Sequence, residues 1–383
     1  MPTRAKGVAV SGRQATTLKQ YAPAVFGTVH WGQAIPIGLI HLLALLVFVP
    51  YFFSWTGVAV FVFGLLVFGQ VGIPICYHRQ LTHRSFRTAK WLERSFVTLA
   101  LCSAQQTPAK WVAWHRKHHN LSDKPEDPHS PLESFFWAHL GWLCVDNARN
   151  CDHSFYDKYA RDILEDPFYF YLERHRAAMI WIYLAHAAFF FVASLGIAWA
   201  ALGSGAAALQ LALSVLVWGV IARTVYVWHI TWSVNSLSHL YGYRNFATGD
   251  DSRNNWFVAL ITGGEGWHNN HHADQAAATV QVRWWEFDLN YYVIKGLERI
   301  GLATHVVPGT RRRRRDQGRV DVRIVTTAAG PTVTVIDSPV TSADAALASQ
   351  DTVEIDATLS DTTLSNTTAI ERDDRELVTQ VVE

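Results

Sequence analysis

The stretch VAVFVFGLLVFGQVGIPICYHRQLTH, residues 58–83, decides the fold. Residues 58–75 are apolar and uncharged, and about 20 such residues in a helix cross a hydrocarbon core of about 30 Å. Directly beyond this run lies HRQLTH, with His78 and His83. One segment thus joins a membrane span to paired imidazoles, and both halves of the pattern recur elsewhere in the chain.

Apolar runs at about 35–53, 178–202 and 206–227 complete a set of four expected transmembrane helices. About 35 residues containing several Arg and Lys precede the first run, which argues against a signal peptide. SWTG joins the first two runs and about GSG the last two; neither connection holds Lys or Arg, whereas residues 76–176 hold 14. By the positive-inside rule, that long segment and both termini are expected in the cytoplasm. The expected fold is an all-α membrane protein: four transmembrane helices as two hairpins, with a cytoplasmic helical cap carrying a histidine-rich site. A cytoplasmic N-terminal segment, 1–30, precedes a membrane domain, 31–305. Residues 306–383 are rich in Thr, Ser, Asp, Ala and Val and read as a disordered tail.

Composition agrees with a membrane protein, since half of the 383 residues are hydrophobic, 16 are tryptophan and only 17% are charged. A net charge of +1 gives no nucleic-acid footprint, and RRRRR at 311–315 reads as a membrane-surface or tail feature. Cys76, Cys102, Cys144 and Cys151 lack any Cys-x-x-Cys spacing, which sets aside zinc ribbons and disulfide frameworks.

Nine of the 18 histidines fall into four boxes. These are HRQLTH (His78, His83), HRKHH (His115, His118, His119), NSLSH (His239) and HNNHH (His268, His271, His272). Positions i, i+3 and i+4 of a helix lie within roughly 100° of one another, so all three imidazoles of a box can point at one place. His78 and His83 stand about 140° apart on a regular helix. Either the helix ends or distorts near 80–82, or the two ligate different metals. Neutral imidazole binds iron, zinc or copper, and nine exceed one ion's capacity, so two metals are expected. A site of neutral ligands stays cationic and favours anionic oxygen species. The ligand set alone leaves iron and zinc both open.

The order HRQLTH, HRKHH, NSLSH, GEGWHNNHH, with paired spans before the first and third boxes, closely resembles the membrane fatty-acid desaturases, in particular the delta-9 acyl-CoA (stearoyl-CoA type) group. DPH at 127–129, FFWAHLGW at 135–142 and TWSVNSLSHLYGYR at 231–244 also match, and the similarity covers about 31–303. The resemblance implies two irons on the nine boxed histidines and a metal-bound water held by Asn235. It implies dioxygen as cosubstrate and insertion of a cis double bond into a saturated C16–C18 acyl thioester. It places the tunnel bend near Trp111, Thr231 and Trp232, Gln105 beside the chain and Trp142 toward the thioester end. Asp127 and His129 suggest orientation of ligand imidazoles rather than direct ligation. NSLSH departs from the family's NSAAH between two retained functional ends. The chain lacks an HPGG haem motif, so electrons are expected from a separate ferredoxin, cytochrome b5 or NADPH-dependent flavin reductase. Membrane lipid is the surrounding partner and nucleic acid is not a partner.

Two rivals remain. A membrane diiron alkane or fatty-acyl hydroxylase would use the same boxes, with NSxxH and the flanking matches favouring desaturation. A non-enzymatic metal transporter or sensor would need polar residues within the spans, which are almost uncharged apart from Arg223.

Overall fold

The computed structural model describes residues 28–145, 150, 152–309, 321–327 and 330–336. Residues 1–27, the RRRRR run and most of the expected tail lie outside them. Among the described residues, four helices are long and apolar enough to cross a membrane: Trp31–Phe48, Trp55–Thr82, Ala177–Leu202 and Gly205–Leu240. The first lies a few residues earlier than expected. The second and fourth outrun the apolar stretches that announce them, because their helical winding continues into the histidine boxes.

The helices begin and end where local chemistry dictates. Ser54 caps the second span by accepting from Gly57 N at 2.9 Å, and Ser204 caps the fourth by accepting from Ala207 N. Gly203, at φ +61°, closes the third in the left-handed conformation. Residues 65–82 adopt a wide, π-type winding. It ends with His83 N donating to His78 O at 3.1 Å and the Thr82 hydroxyl donating to Tyr77 O at 2.8 Å.

We number the helices α1 (Trp31–Ala44), α2 (Trp55–Gly64, running into the wide segment), α3 (Lys90–Leu101), α4 (Pro108–Leu121), α5 (Phe135–His139), α6 (His153–Leu164) and α7 (Pro167–Arg174). Then follow α8 (Ala177–Leu202), α9 (Gly205–Val215), α10 (Arg223–Leu240), α11 (Trp256–Thr262), α12 (His268–Ala273) and α13 (Leu289–Arg299). The fourth span, α9 through α10, packs against each of the other three. The wide segment lies against α3 and α4. The main core forms there, with Ile73, Tyr77, Val97, Leu101, Val112, Trp228 and Trp232 among its buried members. Arg223 is buried within the fourth span, over the Phe68 ring at 4.8 Å, and donates to Cys102 O at 3.0 Å. It therefore fixes the end of α3 against that span.

A short antiparallel pair, β1 (Arg87–Thr88) with β2 (Ala303–Thr304), ties the chain after the first box to the end of α13. Residues 308–383 form a separate unit. Within it, β3 (Asp321–Thr327) and β4 (Gly330–Ile336) pair as an antiparallel hairpin, Asp321 opposite Ile336 and Thr327 opposite Gly330.

Candidate metal centre

The ends of two spans and two short helices deliver the boxed histidines to one place. His78 and His83 close the wide segment, α4 carries the second box, α10 carries His239 near its end, and α12 carries the last box. Two glycines set the approach to α12. Gly264 holds φ +125°, and a Cβ on Gly266 would fall 2.1 Å from Ala259 N. Only glycine permits that contact.

The nine side chains form two groups, each with its candidate ligand atoms within 4.8 Å of one another. The first comprises His78, His83, His115, His119 and His271; the second comprises His118, His239, His268 and His272. In the first, His271 Nε2 lies 3.0 Å from both His78 Nε2 and His119 Nε2. In the second, His268 Nε2 lies 3.1 Å from His239 Nε2 and 3.0 Å from His272 Nε2.

The three rings of a box can point at one place by spacing, but here they do not. Both triples divide: His115 and His119 turn one way and His118 the other, while His268 and His272 part from His271. Residues i and i+4 differ by only about 40° around a helix, whereas i+3 and i+4 differ by about 100°. His78 and His83, in contrast, join one group. The i to i+5 hydrogen bond at the end of the wide winding turns both toward the same point.

Carboxylates hold four of the rings by Nδ1. Glu265 meets His78 at 2.7 Å, Asp127 meets His118 at 3.0 Å, Asp123 meets His239 at 3.0 Å and Asp250 meets His272 at 2.7 Å. Such a contact fixes the tautomer and leaves Nε2 as the lone-pair donor. Burial opposes ionisation of these acids, but the neighbouring cationic and imidazole groups prevail. Arg79 and His78 hold Glu265 down to about 2, and His118 holds Asp127 well below the carboxylate range. Burial, then the adjoining imidazoles, drives His83, His115, His119, His268 and His271 well below 6.5. These rings are therefore neutral at physiological pH, the state in which imidazole binds metal.

The residues fit two metal ions. His83 Nε2 and His118 Nε2 are buried without a hydrogen-bond partner, and the donors in both groups are imidazoles. Asp127 is engaged by His118 and by the N–H groups of Asp123 and His129 at 3.0 and 3.2 Å. It therefore orients a ring, and His129, whose ring centroid lies 4.3 Å from that of His118, packs behind it.

Asn235 lines a small recess with His78, His115, Glu265 and His268. It also borders an adjoining apolar cavity of about 520 Å³, within the range of about 300–1,000 Å³ usual for small-molecule sites. Gln105, Trp111, Trp142, Thr231 and Trp232 all line this larger cavity. Gln105 donates to the Thr231 hydroxyl at 3.0 Å. Leu39 and Leu43 of α1 and Ile180 and Leu184 of α8 also border the cavity, and all four are exposed on their spans.

Sequence reasoning missed Asp123, Asp250, Glu265 and Arg79. Asp123 and Glu265 each stand within four residues of a box histidine, which is the signal that could have found them. Asp250 stands far from any box and offered none.

The family described as Fatty acid desaturase matches residues 53–306. The sn-1 stearoyl-lipid 9-desaturase of Anabaena variabilis is 39% identical over 278 residues, 73% of this chain and 94% of its own. The palmitoyl-monogalactosyldiacylglycerol delta-7 desaturase of Arabidopsis thaliana is 39% identical over 72% of this chain and 68% of its own. The acyl-CoA 5-desaturase of Anemone leveillei is 39% identical over 71% of this chain and 78% of its own.

Proposed function

The chain belongs to the fatty acid desaturase family and is a membrane oxidoreductase that desaturates fatty acyl chains; from that premise we propose that it inserts a cis double bond at the delta-9 position of a saturated C16–C18 chain. The observation that carries this reading is the meeting of nine histidines, in two groups, beside an apolar cavity that shares Trp111, His115, Thr231 and Asn235 with the metal-side recess.

Two iron ions held by the two groups would supply the oxidising power: dioxygen, two electrons and two protons, with the two hydrogens taken from adjacent methylenes, would leave as two waters. Those C–H bonds are unactivated, so the position of attack follows from where the chain is held. Trp111 and Trp232 form walls, the Gln105–Thr231 pair fixes the bend, and Asn235 orients a water at the metal side. Burial among aromatic rings excludes bulk water from the reacting carbons.

The carrier we propose is a membrane lipid rather than the acyl thioester expected from sequence. Two observations support this. The cavity is bordered by exposed apolar residues of the first and third spans, where a lipid-linked chain could enter sideways. The stearoyl-lipid and galactolipid relatives are named for lipid-bound chains. Electrons come from a separate redox protein. The spans form two hairpins with both termini and the metal centre on the cytoplasmic side, a reading supported by the charge asymmetry of the connections.

Gas chromatography with mass spectrometry of lipids from a host expressing the chain tests the reaction and its position. In parallel, membranes receive stearoyl-CoA with lipid synthesis blocked, or preformed stearoyl lipid. A delta-9 olefin from the lipid alone is expected. Hydroxylated product without olefin would reject desaturation, and turnover of stearoyl-CoA alone would reject the lipid carrier.

A further inference from the structure

We propose that the two metal positions are redox-inequivalent, with the first electron settling on the five-histidine group. This rests on the diiron reading above and concerns the carboxylates that surround it. In the four-histidine group, three of the four rings are backed by carboxylates: His118 by Asp127, His239 by Asp123 and His272 by Asp250. The other hydrogen bonds to the three carboxylate groups come from neutral donors, and Arg244 meets Asp250 at its backbone oxygen, 2.7 Å away. Asp123 accepts from Asp251 N at 2.7 Å, Asp127 from the N–H groups of Asp123 and His129, and Asp250 from Thr248 and Ser252.

The five-histidine group has one such backing, Glu265 on His78. That charge is shared with the Arg79 guanidinium at 2.7 Å, and Arg79 also meets Asp288 at 2.9 Å. An acid that accepts from Nδ1–H makes the imidazole a stronger donor, and its negative charge favours the more highly charged ion. Three carboxylates beside one ion, against two carboxylates that share the Arg79 cation beside the other, place the ferric state preferentially at the four-histidine position.

Access favours the same order. The four-histidine group is buried throughout, whereas His83, His115 and His119 are partly exposed. A surface depression lined by Thr82, His83, Arg116, His119 and Asn120 reaches two of those rings. Water at these edges favours the ferric state of the nearer ion, but three carboxylates bonded directly to buried rings are the larger influence. An electron carrier at the surface thus meets the more easily reduced ion first: one electron enters and one ferric ion becomes ferrous.

The full-length protein, loaded with iron-57, is reduced stepwise with titanium(III) citrate and followed by Mössbauer spectroscopy and potentiometry. One electron per chain is expected to convert half of the iron to a single ferrous signal, with the second half following in a separate step at lower potential. Asp123→Asn and Asp250→Asn should each shift the lower step upward and leave the upper step in place, while Glu265→Gln should move the upper step. Asp250 is partly exposed, so its variant keeps the test if Asp123→Asn loses metal. A single two-electron step with one spectral signature, or movement of the upper step in the aspartate variants, overturns the inference. Failure of the wild type to hold two irons per chain refutes the diiron reading instead.

Discussion

Arg79 and Glu265, 186 residues apart in the chain, meet through a buried ion pair of 2.7 Å between Nη2 and Oε1. The pair fastens the first histidine box to the approach of the last. Because Glu265 also holds His78 Nδ1 at 2.7 Å, the same contact sets one ring of the five-histidine group.

Removing the cation should therefore be severe. Arg79→Met leaves Glu265 and Asp288 buried without their partner, and breaking such a pair costs about 3–5 kcal/mol. Thermal unfolding of the purified protein is expected to show a marked fall in midpoint, together with a lower iron content.

His271 lies 3.0 Å from His78 and from His119, at the centre of the five-histidine group. His271→Ala should abolish desaturation and reduce bound iron while leaving membrane insertion intact, checked by product analysis, iron determination and membrane fractionation. His305 is exposed and outside both groups; His305→Ala should leave activity and iron unchanged. Retained activity in His271→Ala would remove that residue from the ligand set.

The metal-free protein should lose stability below pH 6.5. Burial and neighbouring imidazoles lower His83, His115, His119, His268 and His271 well below that value, and His272 to about 4. The unfolded chain takes up protons through 6.5 that the folded site refuses, so stability declines from there toward pH 4. Each refused proton costs up to about 1.4 kcal/mol per pH unit. Unfolding curves between pH 7.5 and 4.5 measure this, and a flat profile would contradict the neutral-ring assignment.

Leu216 borders the cavity on the fourth span, and Asn235 borders it where the cavity meets the metal-side recess. Between them the span passes from the wider winding of Leu216–Ala222 into α10. Leu216→Trp should fill the far end and move preference toward shorter chains, read as the C16 to C18 ratio among products. An unchanged ratio would show that the chain does not extend to that depth.

The spans were legible because burial in lipid demands long uncharged runs, and the boxes because imidazole at helical spacing is rare by chance. Two features were not legible. The division of each triple depends on which neighbour a ring faces, and spacing within one helix does not contain that information. The five-residue separation of His78 and His83 did announce a helix end or distortion near 80–82, but not that the wide winding begins as far back as Leu65. Asp250 escaped for a third reason: it reaches His272 through folding of the loop after α10, 22 residues upstream in sequence.

The fourth span is both cavity wall and histidine carrier, with Leu216, Val220, Trp228, Thr231 and Trp232 on the wall and Asn235 and His239 continuing the same helix. Inserting one residue between Thr231 and Asn235 would swing everything beyond it by about 100°. Length changes in this element are thus barred, and a lineage seeking a new double-bond position must proceed by exchanging side chains along a ruler of fixed graduation.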